Sequence, residues 1–221
     1  MKQYNGEKGI ISLTSWKIRI NTVSKTLFNL LKMCPEFHIV LTLSTDEFKN
    51  KEQDLPEDLM LLVNNNLIEI LWVQKNYRAF KKILFAMKKY PDVPIISADD
   101  DCYYNCNYAQ ELYDIWLNNK NKIITYNGCN IKGYNFQCGP CTLYPPNCFE
   151  EDGINNLKES ILNTNHDDIY YGILASLKHI KILNYPKQVF CEVNTVGALS
   201  KSGKTYPAIT SINICKKNIR I

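Results

Sequence analysis

The feature that most constrains the fold is a nearly continuous apolar segment, Val93-Pro94-Ile95-Ile96-Ser97-Ala98. A run with so little polar alternation is typical of a central strand that is covered on both faces. The proline near its beginning fits this interpretation, because proline is tolerated at the first position of a strand. A strand covered on both faces needs helices on both sides of its sheet, so the segment favours a layered α/β fold.

Other short apolar runs alternate with helical patterns along the chain. Strands are predicted at 9–13, 38–43, 67–73, 93–98, 123–126 and 141–144. Helices are predicted where apolar residues recur at helical spacing, over 20–31, 80–90, 108–117 and 169–177. The acidic, polar segment 45–56 is predicted to be a loop. The alternation predicts a single α/β domain with a mostly parallel central sheet flanked by helices.

Length and charge exclude several classes of protein. The chain has 221 residues, 45% of them hydrophobic, which is ordinary for a globular domain with a substantial core. A net charge of +4 is too small to predict a nucleic-acid partner. The apolar runs are shorter than the roughly 20 residues that span a bilayer, and the N-terminal residues lack the apolar region of a signal peptide. We therefore expect a cytoplasmic location.

The nine cysteines are odd in number and scattered, so they do not predict a disulfide framework and fit a reducing compartment. The segment Cys138 to Cys141 reads Cys-Gly-Pro-Cys, the sequence of the thioredoxin redox motif. That motif needs a helix beginning at its first cysteine, whereas residues 142–146 have a strand pattern that ends in prolines. A zinc site made of these two cysteines with Cys129 and Cys148 remains an alternative, because Cys-x2-Cys is good zinc-ligand spacing.

Three adjacent aspartates, Asp99, Asp100 and Asp101, follow the predicted central strand. Ligands of open α/β sheets bind beyond the carboxyl ends of the strands. Mutual repulsion raises carboxylate pKa values unless a cation compensates, and oxygen ligands suit Mg²⁺ or Mn²⁺. Asp99 and Asp101 lie on one side of an extended chain, which makes them the candidate metal ligands. An exposed acidic turn is the alternative.

A second acidic pair, Asp167-Asp168, precedes the predicted helix 169–177. One interpretation is structural, with Asn165 or Asp167 as an N-cap and acidic residues favoured in the first turn. The other is catalytic, because a carboxylate beside a metal site can serve as the general base that activates a hydroxyl.

Several segments, taken in order, resemble bacterial GT-A-type glycosyltransferases of the family-2 kind. They cover roughly residues 9–200 and are 11–20, 80–84, 90–92, 95–101, 139–146 and 167–169. The resemblance implies a single Rossmann-like GT-A domain. About residues 9–104 would bind the nucleotide sugar, about 105–200 would face the acceptor, and 201–221 would be a C-terminal tail.

The resemblance also implies an activity. It is metal-dependent, inverting transfer of a sugar from a nucleotide-diphosphate donor, a UDP-sugar, to a glycan or lipid-linked acceptor in surface polysaccharide synthesis. The cofactor would be Mn²⁺ or Mg²⁺. Transfer to a lipid-linked acceptor would bring the protein to the inner face of the membrane as a peripheral contact. The basic end of the chain, 215–220, is expected to be a solvated tail, and it is too short to predict membrane binding by itself.

Site roles follow from the same resemblance. The residues expected to contact the nucleotide sugar are Thr14, Ser15, Arg19, Lys82, Asp99, Asp100 and Gly139. Asp101, together with Asp99, would hold the metal. Asp168 is the first candidate for the base and Asp167 the second. Two departures from the family lie on the acceptor side, with Pro140 in place of a second glycine and Tyr170 in place of tryptophan.

Two other functions remain open. A sugar-nucleotide nucleotidyltransferase shares the layered sheet but needs a glycine-rich phosphate-binding turn after the first strand, where this chain has Thr14-Ser15-Trp16-Lys17. A non-catalytic protein that binds sugar nucleotides is the second alternative, although intact carboxylates at both acidic sites argue against it.

Overall fold

Strands and helices alternate through a computed structural model that describes residues 2–131, 134–149, 153, 157–192 and 208–219. The strands are β1 (Ile10–Thr14), β2 (His38–Ser44), β3 (Glu69–Val73), β4 (Ile95–Ser97), β5 (Cys102–Tyr104), β6 (Lys122–Thr125), β7 (Gly128–Ile131), β8 (Tyr134–Gln137), β9 (Thr142–Tyr144), β10 (Lys181–Asn184) and β11 (Phe190–Glu192). The α-helices are α1 (Val23–Met33), α2 (Glu57–Asn64), α3 (Lys81–Lys89), α4 (Tyr108–Leu117), α5 (Glu159–Leu162), α6 (Asp167–Leu177) and α7 (Ala208–Ile219).

Seven of these strands form one sheet in the order β10-β6-β9-β4-β1-β2-β3. The pairs among β3, β2, β1 and β4 are parallel, as is the pair of β6 with β10. Strand β9 runs antiparallel between β4 and β6. Two small antiparallel pairs, β5 with β11 and β7 with β8, lie outside this sheet. The mixed α/β fold with a mostly parallel central sheet is therefore as predicted.

The sheet separates two hydrophobic cores, because successive side chains of a strand point to opposite faces. Ile11 of β1 packs with residues of α1, α2 and α4 on one face. Ile10, its neighbour, packs with residues of α3, α5, α6 and α7 on the other. Both isoleucines are fully buried, as a strand covered by two layers of helices requires.

All six predicted strands occur in the central sheet, with ends within a few residues of the predicted ones. The four predicted helices are also present, and α4 has the predicted bounds. Strand β10, the β7–β8 hairpin, the β5–β11 pair and helix α2 were not predicted. Within the predicted loop 45–56, residues Lys51–Asp54 form a short 3-10 helix.

The prediction of a solvated C-terminal tail is wrong for residues 208–219, which form α7. Its residues Ser211, Ile212 and Cys215 are buried, because their spacing places them on one helical face against α5 and α6. Residues 201–207 and 220–221 of the predicted tail lie outside the described residues. Across the described chain, no helix combines the length and the apolar character needed to cross a membrane.

The described cysteines form neither the thioredoxin redox motif nor the zinc site that the sequence analysis considered. Cys129 is disulfide-bonded to Cys138 across the β7–β8 hairpin, which corrects the expectation that the cysteines are unpaired. Cys141 is buried and free, and no helix begins at Cys138, so the thioredoxin arrangement is absent from this described segment. Cys148 is buried separately, and the described residues contain no four-cysteine zinc cluster.

Candidate functional site

The candidate site lies at the edge of the sheet where β1 and β4 end. Asp99, Asp100 and Asp101 directly follow β4, and Gly139 lies in the loop that leads into β9. Because β9 runs antiparallel to β4, its beginning lies beside the carboxyl end of β4. The sequence therefore brings the aspartates and Gly139 to one edge, where α/β proteins bind ligands.

Lys82 connects the two acidic motifs. It lies in the first turn of α3, and its Nζ atom is 2.8 Å from Oδ1 of Asp99 and 3.8 Å from Oδ2 of Asp167. Burial alone would lower the pKa of Lys82, but Asp99, Asp167 and Asp168 raise it above its ordinary value. The lysine therefore stays charged and holds the two motifs in one site.

Asp100 faces the protein interior. Only 3% of the residue is exposed, and its carboxylate accepts a hydrogen bond from Ser15 Oγ at 2.6 Å and pairs with Arg19 at 2.7 Å. Burial raises the pKa of Asp100 to about 6, although Arg19 and Ser15 favour the charged form. The alternative that these aspartates form an exposed acidic turn is thus excluded. Asp100 and Ser15 lie in the interior beneath the other two aspartates.

Asp99 and Asp101 face the open side and offer oxygen ligands. Their carboxylates and the Cys102 thiol lie within 4.8 Å of one another. Burial raises the pKa of the Cys102 thiol, and Asp99 and Asp101 raise it further. A thiol is also a softer donor than the oxygen ligands that Mg²⁺ and Mn²⁺ prefer. Arg19 also pairs with Asp101. Two carboxylates this close together have the oxygen-donor chemistry that a divalent cation such as Mn²⁺ or Mg²⁺ requires.

Asp167 and Asp168 lie in the first turn of α6, near Lys82. Oδ2 of Asp168 accepts a hydrogen bond of 2.9 Å from the backbone N–H of Gly139. Burial raises the pKa of both carboxyl groups, and repulsion from Asp167 adds to the effect on Asp168, whereas Lys82 opposes it. Carboxylates that hold protons more strongly than usual are better bases.

The N-cap interpretation of this acidic pair is wrong. Residue His166 precedes α6, and no side chain caps the helix by a hydrogen bond. Asn165 has a left-handed backbone with φ of 57°, and its side chain accepts a hydrogen bond from Arg78 instead. The acidic pair therefore lies inside the helix, where the positive end of the helix dipole stabilises its charge.

Gly139 lies between the two acidic motifs. Its φ of 75° is in the left-handed region that favours glycine, and a Cβ atom there would lie 4.0 Å from Oδ2 of Asp99. The left-handed backbone, rather than steric crowding, is what favours glycine here, and in this conformation its N–H donates to Asp168.

Helix α1 positions the aspartate segment through residues that the sequence analysis missed. Thr26 Oγ1 donates to the carbonyl oxygens of Asp100 and Cys102, both at 3.0 Å. Asn29 exchanges two hydrogen bonds with the backbone of Tyr104, at 2.7 and 3.0 Å. The Tyr104 hydroxyl in turn accepts from the N–H of Asp99 at 2.9 Å. The sequence signal that could have revealed these residues is that Thr26 and Asn29 are polar yet lie on the apolar face of an amphipathic helix.

Arg78 is a further residue that sequence reasoning missed. Its guanidinium donates to the Leu162 carbonyl and the Asn165 side chain at 2.8 Å, and to the Asn163 side chain at 3.0 Å. These hydrogen bonds connect the turn before Asp167 to the 3-10 turn Arg78–Phe80, which directly precedes α3. Only the folded chain brings these partners together, so no local signal could have revealed them.

The structure thus brings together Lys82, Asp99, Asp101, Gly139, Asp167 and Asp168 through a series of direct contacts. Thr14 ends β1, and its hydroxyl donates to the Thr42 carbonyl at 2.7 Å. Arg19 lies between Asp100 and Asp101, so its first partners are carboxylates of the protein.

Comparisons with known proteins identify the fold. No family model matches this sequence, and a search of curated proteins finds no similar sequence. A solved structure of TarS from S. aureus superposes with a TM-score of 0.53 at 13% identity, covering 95% of this chain and 42% of TarS. TarS 1–349 in complex with UDP-GlcNAc gives a TM-score of 0.55 at 10% identity, over 96% of this chain and 71% of that one.

A cytidylyltransferase from Leptospira borgpetersenii has a TM-score of 0.54 at 13% identity, over 97% of this chain and 96% of that one. At these identities the similarity shows the fold alone. The chain therefore has the Rossmann-like α/β fold of these proteins, and it spans less than half of the full-length TarS structure.

Proposed function

We propose that this protein is a glycosyltransferase that moves a sugar from a nucleotide-diphosphate donor, a UDP-sugar, to a hydroxyl group of a glycan or lipid-linked acceptor. The observation that carries the proposal is the contact of Lys82 with both acidic motifs at the carboxyl edge of the sheet. The contact supports the proposal because one lysine lies near both the proposed ion ligand Asp99 and the acidic pair that contains the proposed base. The complex of the similar TarS structure with UDP-GlcNAc supports the donor class.

On the donor side, Asp99 and Asp101 would hold Mn²⁺ or Mg²⁺. The ion, when bound, supplies a Lewis acid for the diphosphate leaving group. Lys82 contributes a positive charge, because its carboxylate neighbours raise its pKa despite its burial. Thr14, at the end of β1, lies at the same edge and is proposed to contact the nucleotide.

On the acceptor side, Asp168 is proposed as the general base. The Gly139 N–H donates a hydrogen bond to Oδ2 of Asp168, which fixes the orientation of the carboxylate. The acceptor oxygen forms a bond to the anomeric carbon as its proton passes to Asp168, and the bond from that carbon to the diphosphate breaks. Attack from the side opposite the leaving group inverts the anomeric configuration. Asp167 is the second candidate for this role.

A nucleotidyltransferase is the second candidate function, because the cytidylyltransferase match covers almost the full length of both chains. In that reaction a nucleoside triphosphate and a sugar phosphate give a sugar nucleotide and pyrophosphate. The segment after β1, Thr14-Ser15-Trp16-Lys17, lacks the glycines that would let a backbone wrap a triphosphate, so we favour sugar transfer.

Product analysis separates these functions. The protein is incubated with UDP-glucose, UDP-galactose or UDP-GlcNAc and Mn²⁺, and free UDP is measured; parallel samples contain CTP with sugar phosphates, and pyrophosphate is measured. We expect UDP release from at least one donor and no pyrophosphate, with Asp168→Asn as the matched inactive control. Pyrophosphate without UDP would establish the nucleotidyltransferase instead. Neither product, with donor binding intact, would indicate a non-catalytic binding protein.

We further propose that the acceptor belongs to bacterial surface polysaccharide synthesis and that the protein acts at the inner face of the membrane. This part of the proposal rests on the sequence resemblance.

A further inference from the structure

A groove of about 650 Å³ lies between α4 and the segment that follows β10. Its lining residues are the charged Glu111, Asp114 and Lys187, the aromatic Tyr126 and Tyr185, and the apolar Ile115 and Pro186. None of these residues belongs to the candidate site described above, and none was a candidate site residue in the sequence analysis.

The groove lies on the same edge of the sheet as the aspartates. Tyr126 follows the end of β6, and Tyr185 follows the end of the parallel strand β10. Adjacent strands lie about 4.8 Å apart, so the ends of β6 and β10 are about 10 and about 14 Å from the end of β4, which Asp99 follows closely.

A short hydrogen-bonded segment connects the groove to the candidate site. The N–H of Tyr126 donates to the carbonyl of Cys141 at 3.2 Å, and the Asn127 side chain donates to the carbonyl of Pro140 at 2.9 Å. These two acceptors follow Gly139, which contacts Asp168. The loop from Gly139 to Cys141 therefore has the acidic site at one end and the groove at the other.

The lining of the groove combines apolar faces with fixed polar groups. The ring of Tyr185 is 41% exposed, and Pro186 beside it is also exposed. Glu111 accepts hydrogen bonds from the Tyr126 hydroxyl, at 2.7 Å, and from the Lys187 ammonium. Because these donors fix the carboxylate in place, the polar groups are preorganised for a ligand.

This combination matches the chemistry of a sugar chain. A pyranose ring has an apolar face of C–H groups, which packs on an aromatic ring, and a rim of hydroxyl groups, which bonds to carboxylate and ammonium groups. Two carboxylates and one ammonium line the groove, so its negative charge disfavours an anionic ligand, and its aromatic and hydrogen-bonding groups suit an uncharged sugar.

We propose that the groove binds an uncharged oligosaccharide, with one ring stacked on Tyr185 and hydroxyl groups at Glu111 and Lys187. The assignment of that oligosaccharide as the acceptor rests on the proposed glycosyltransferase function. Sugar units in the groove would then leave the terminal hydroxyl of the chain near Asp168, and the enzyme would require an acceptor of several units.

Binding is measured by saturation-transfer NMR on the full chain with chitotetraose, cellotetraose and maltotetraose, without donor or metal. We expect at least one tetrasaccharide to bind, and Tyr185→Ala to weaken it by about tenfold. Tyr185→Trp keeps an aromatic face and should retain binding. Phe28→Ala is the matched control, because Phe28 is a similarly exposed aromatic residue on α1 that does not line the groove, and the substitution should leave the affinity unchanged.

UDP binding is measured on the same samples, so that the two proposals fail separately. If UDP binds and no tetrasaccharide does, or if Tyr185→Ala binds the tetrasaccharide as well as the unaltered chain, the groove assignment is overturned and the proposed function stands. If the tetrasaccharide binds through Tyr185 but UDP does not, the groove is a glycan site and the proposed function falls. If neither UDP nor any tetrasaccharide binds, both the groove assignment and the proposed function are overturned.

Discussion

The two acidic clusters of the site differ in how their charge is balanced. In the cluster after β4, Arg19 pairs with both Asp100 and Asp101, and Lys82 pairs with Asp99. In the cluster that begins α6, Lys82 reaches only to 3.8 Å from Asp167, and the Gly139 N–H is the hydrogen-bond donor to Asp168. The carboxylates of the first cluster are therefore largely neutralised by basic side chains, whereas those of the second have weaker compensation, which fits the proposed role of Asp168 as a base.

Glu69 shows what a structural buried carboxylate looks like in the same protein. It is 3% exposed and accepts hydrogen bonds from His38, at 2.7 Å, and from Lys89 and Tyr90. Burial would raise its pKa, but these three partners outweigh burial and lower it. The opposite direction at Asp168 indicates that the second cluster is not arranged for stability.

The largest effect is expected for Asp168→Asn. The amide still accepts the hydrogen bond of Gly139 but takes no proton, so the rate of sugar transfer should fall by about 10³-fold. Donor affinity should stay unchanged, because the proposed donor site is the other cluster. Steady-state kinetics and donor titration on the same variant check both statements, and unaltered transfer would remove Asp168 from the base role.

Asp101→Asn tests the first cluster. Removing one of two carboxylate ligands should lower the Mn²⁺-dependent affinity for donor by about 10²-fold. The fold should persist, because Arg19 keeps its pair with Asp100. Calorimetric titration of a UDP-sugar with and without Mn²⁺ measures the effect, with Asp92→Asn, an exposed aspartate, as the control. Equal metal dependence in both variants would contradict the ligand assignment.

Glu69→Gln should destabilise the protein by about 2 kcal/mol at pH 7, because it breaks a buried charged network. The folded pKa of Glu69 lies below the unfolded one, so its contribution is present above about pH 4.5 and is lost as the pH falls through the folded value. Urea unfolding at several pH values should therefore show the variant and the unaltered chain converging in acid. Glu57→Gln, at an exposed position, should change little.

Arg78→Ala should lower kcat by about tenfold with the donor KM unchanged, because the three hydrogen bonds that position the turn before Asp167 are lost. Arg78 is a positioning residue, so Arg78→Lys, which keeps one donor group, should recover part of the rate. A variant with unaltered kcat, or one whose KM alone changes, would show that the turn does not control the acidic pair.

The smallest effect concerns the stability of Asp168→Asn. Its folded pKa is raised, so the ionised carboxylate destabilises the fold above its unfolded pKa, and the neutral amide removes that cost. The variant should melt about 2–4 °C higher than the unaltered chain at pH 7. A melting temperature below that of the unaltered chain would place Asp168 with Glu69 as a structural carboxylate.

The parallel part of the fold was predictable because its information is local. Strands β1, β2 and β4 are apolar runs, and α3 and α4 repeat apolar residues at helical spacing. Helix α2 also carried a signal, with Pro56 before it and Glu57 and Asp58 in its first turn. Helix α7 was not predicted because the basic residues in its last turn are typical of a solvent-exposed tail.

The pairing of distant segments was not predictable. The antiparallel direction of β9 and the pairing of β5 with β11 depend on how distant segments meet in the fold. The apolar pattern of a three-residue strand does not indicate whether the strand pairs parallel or antiparallel. At the site, both acidic motifs and Lys82 were found from the sequence. Their contacts, the inward direction of Asp100 and the role of Arg78 depend on residues that are far apart in the chain.

Thermal unfolding of the full chain with UDP-sugars, with and without Mn²⁺, tests the central claim most directly, because a ligand that binds the native state must stabilise it. The account predicts that a UDP-sugar at about 100 times its Kd raises the melting temperature by about 5 °C or more with Mn²⁺, and that Asp101→Asn abolishes the metal-dependent part while Asp168→Asn keeps it. The absence of stabilisation by every nucleotide sugar, with or without the metal, would contradict it.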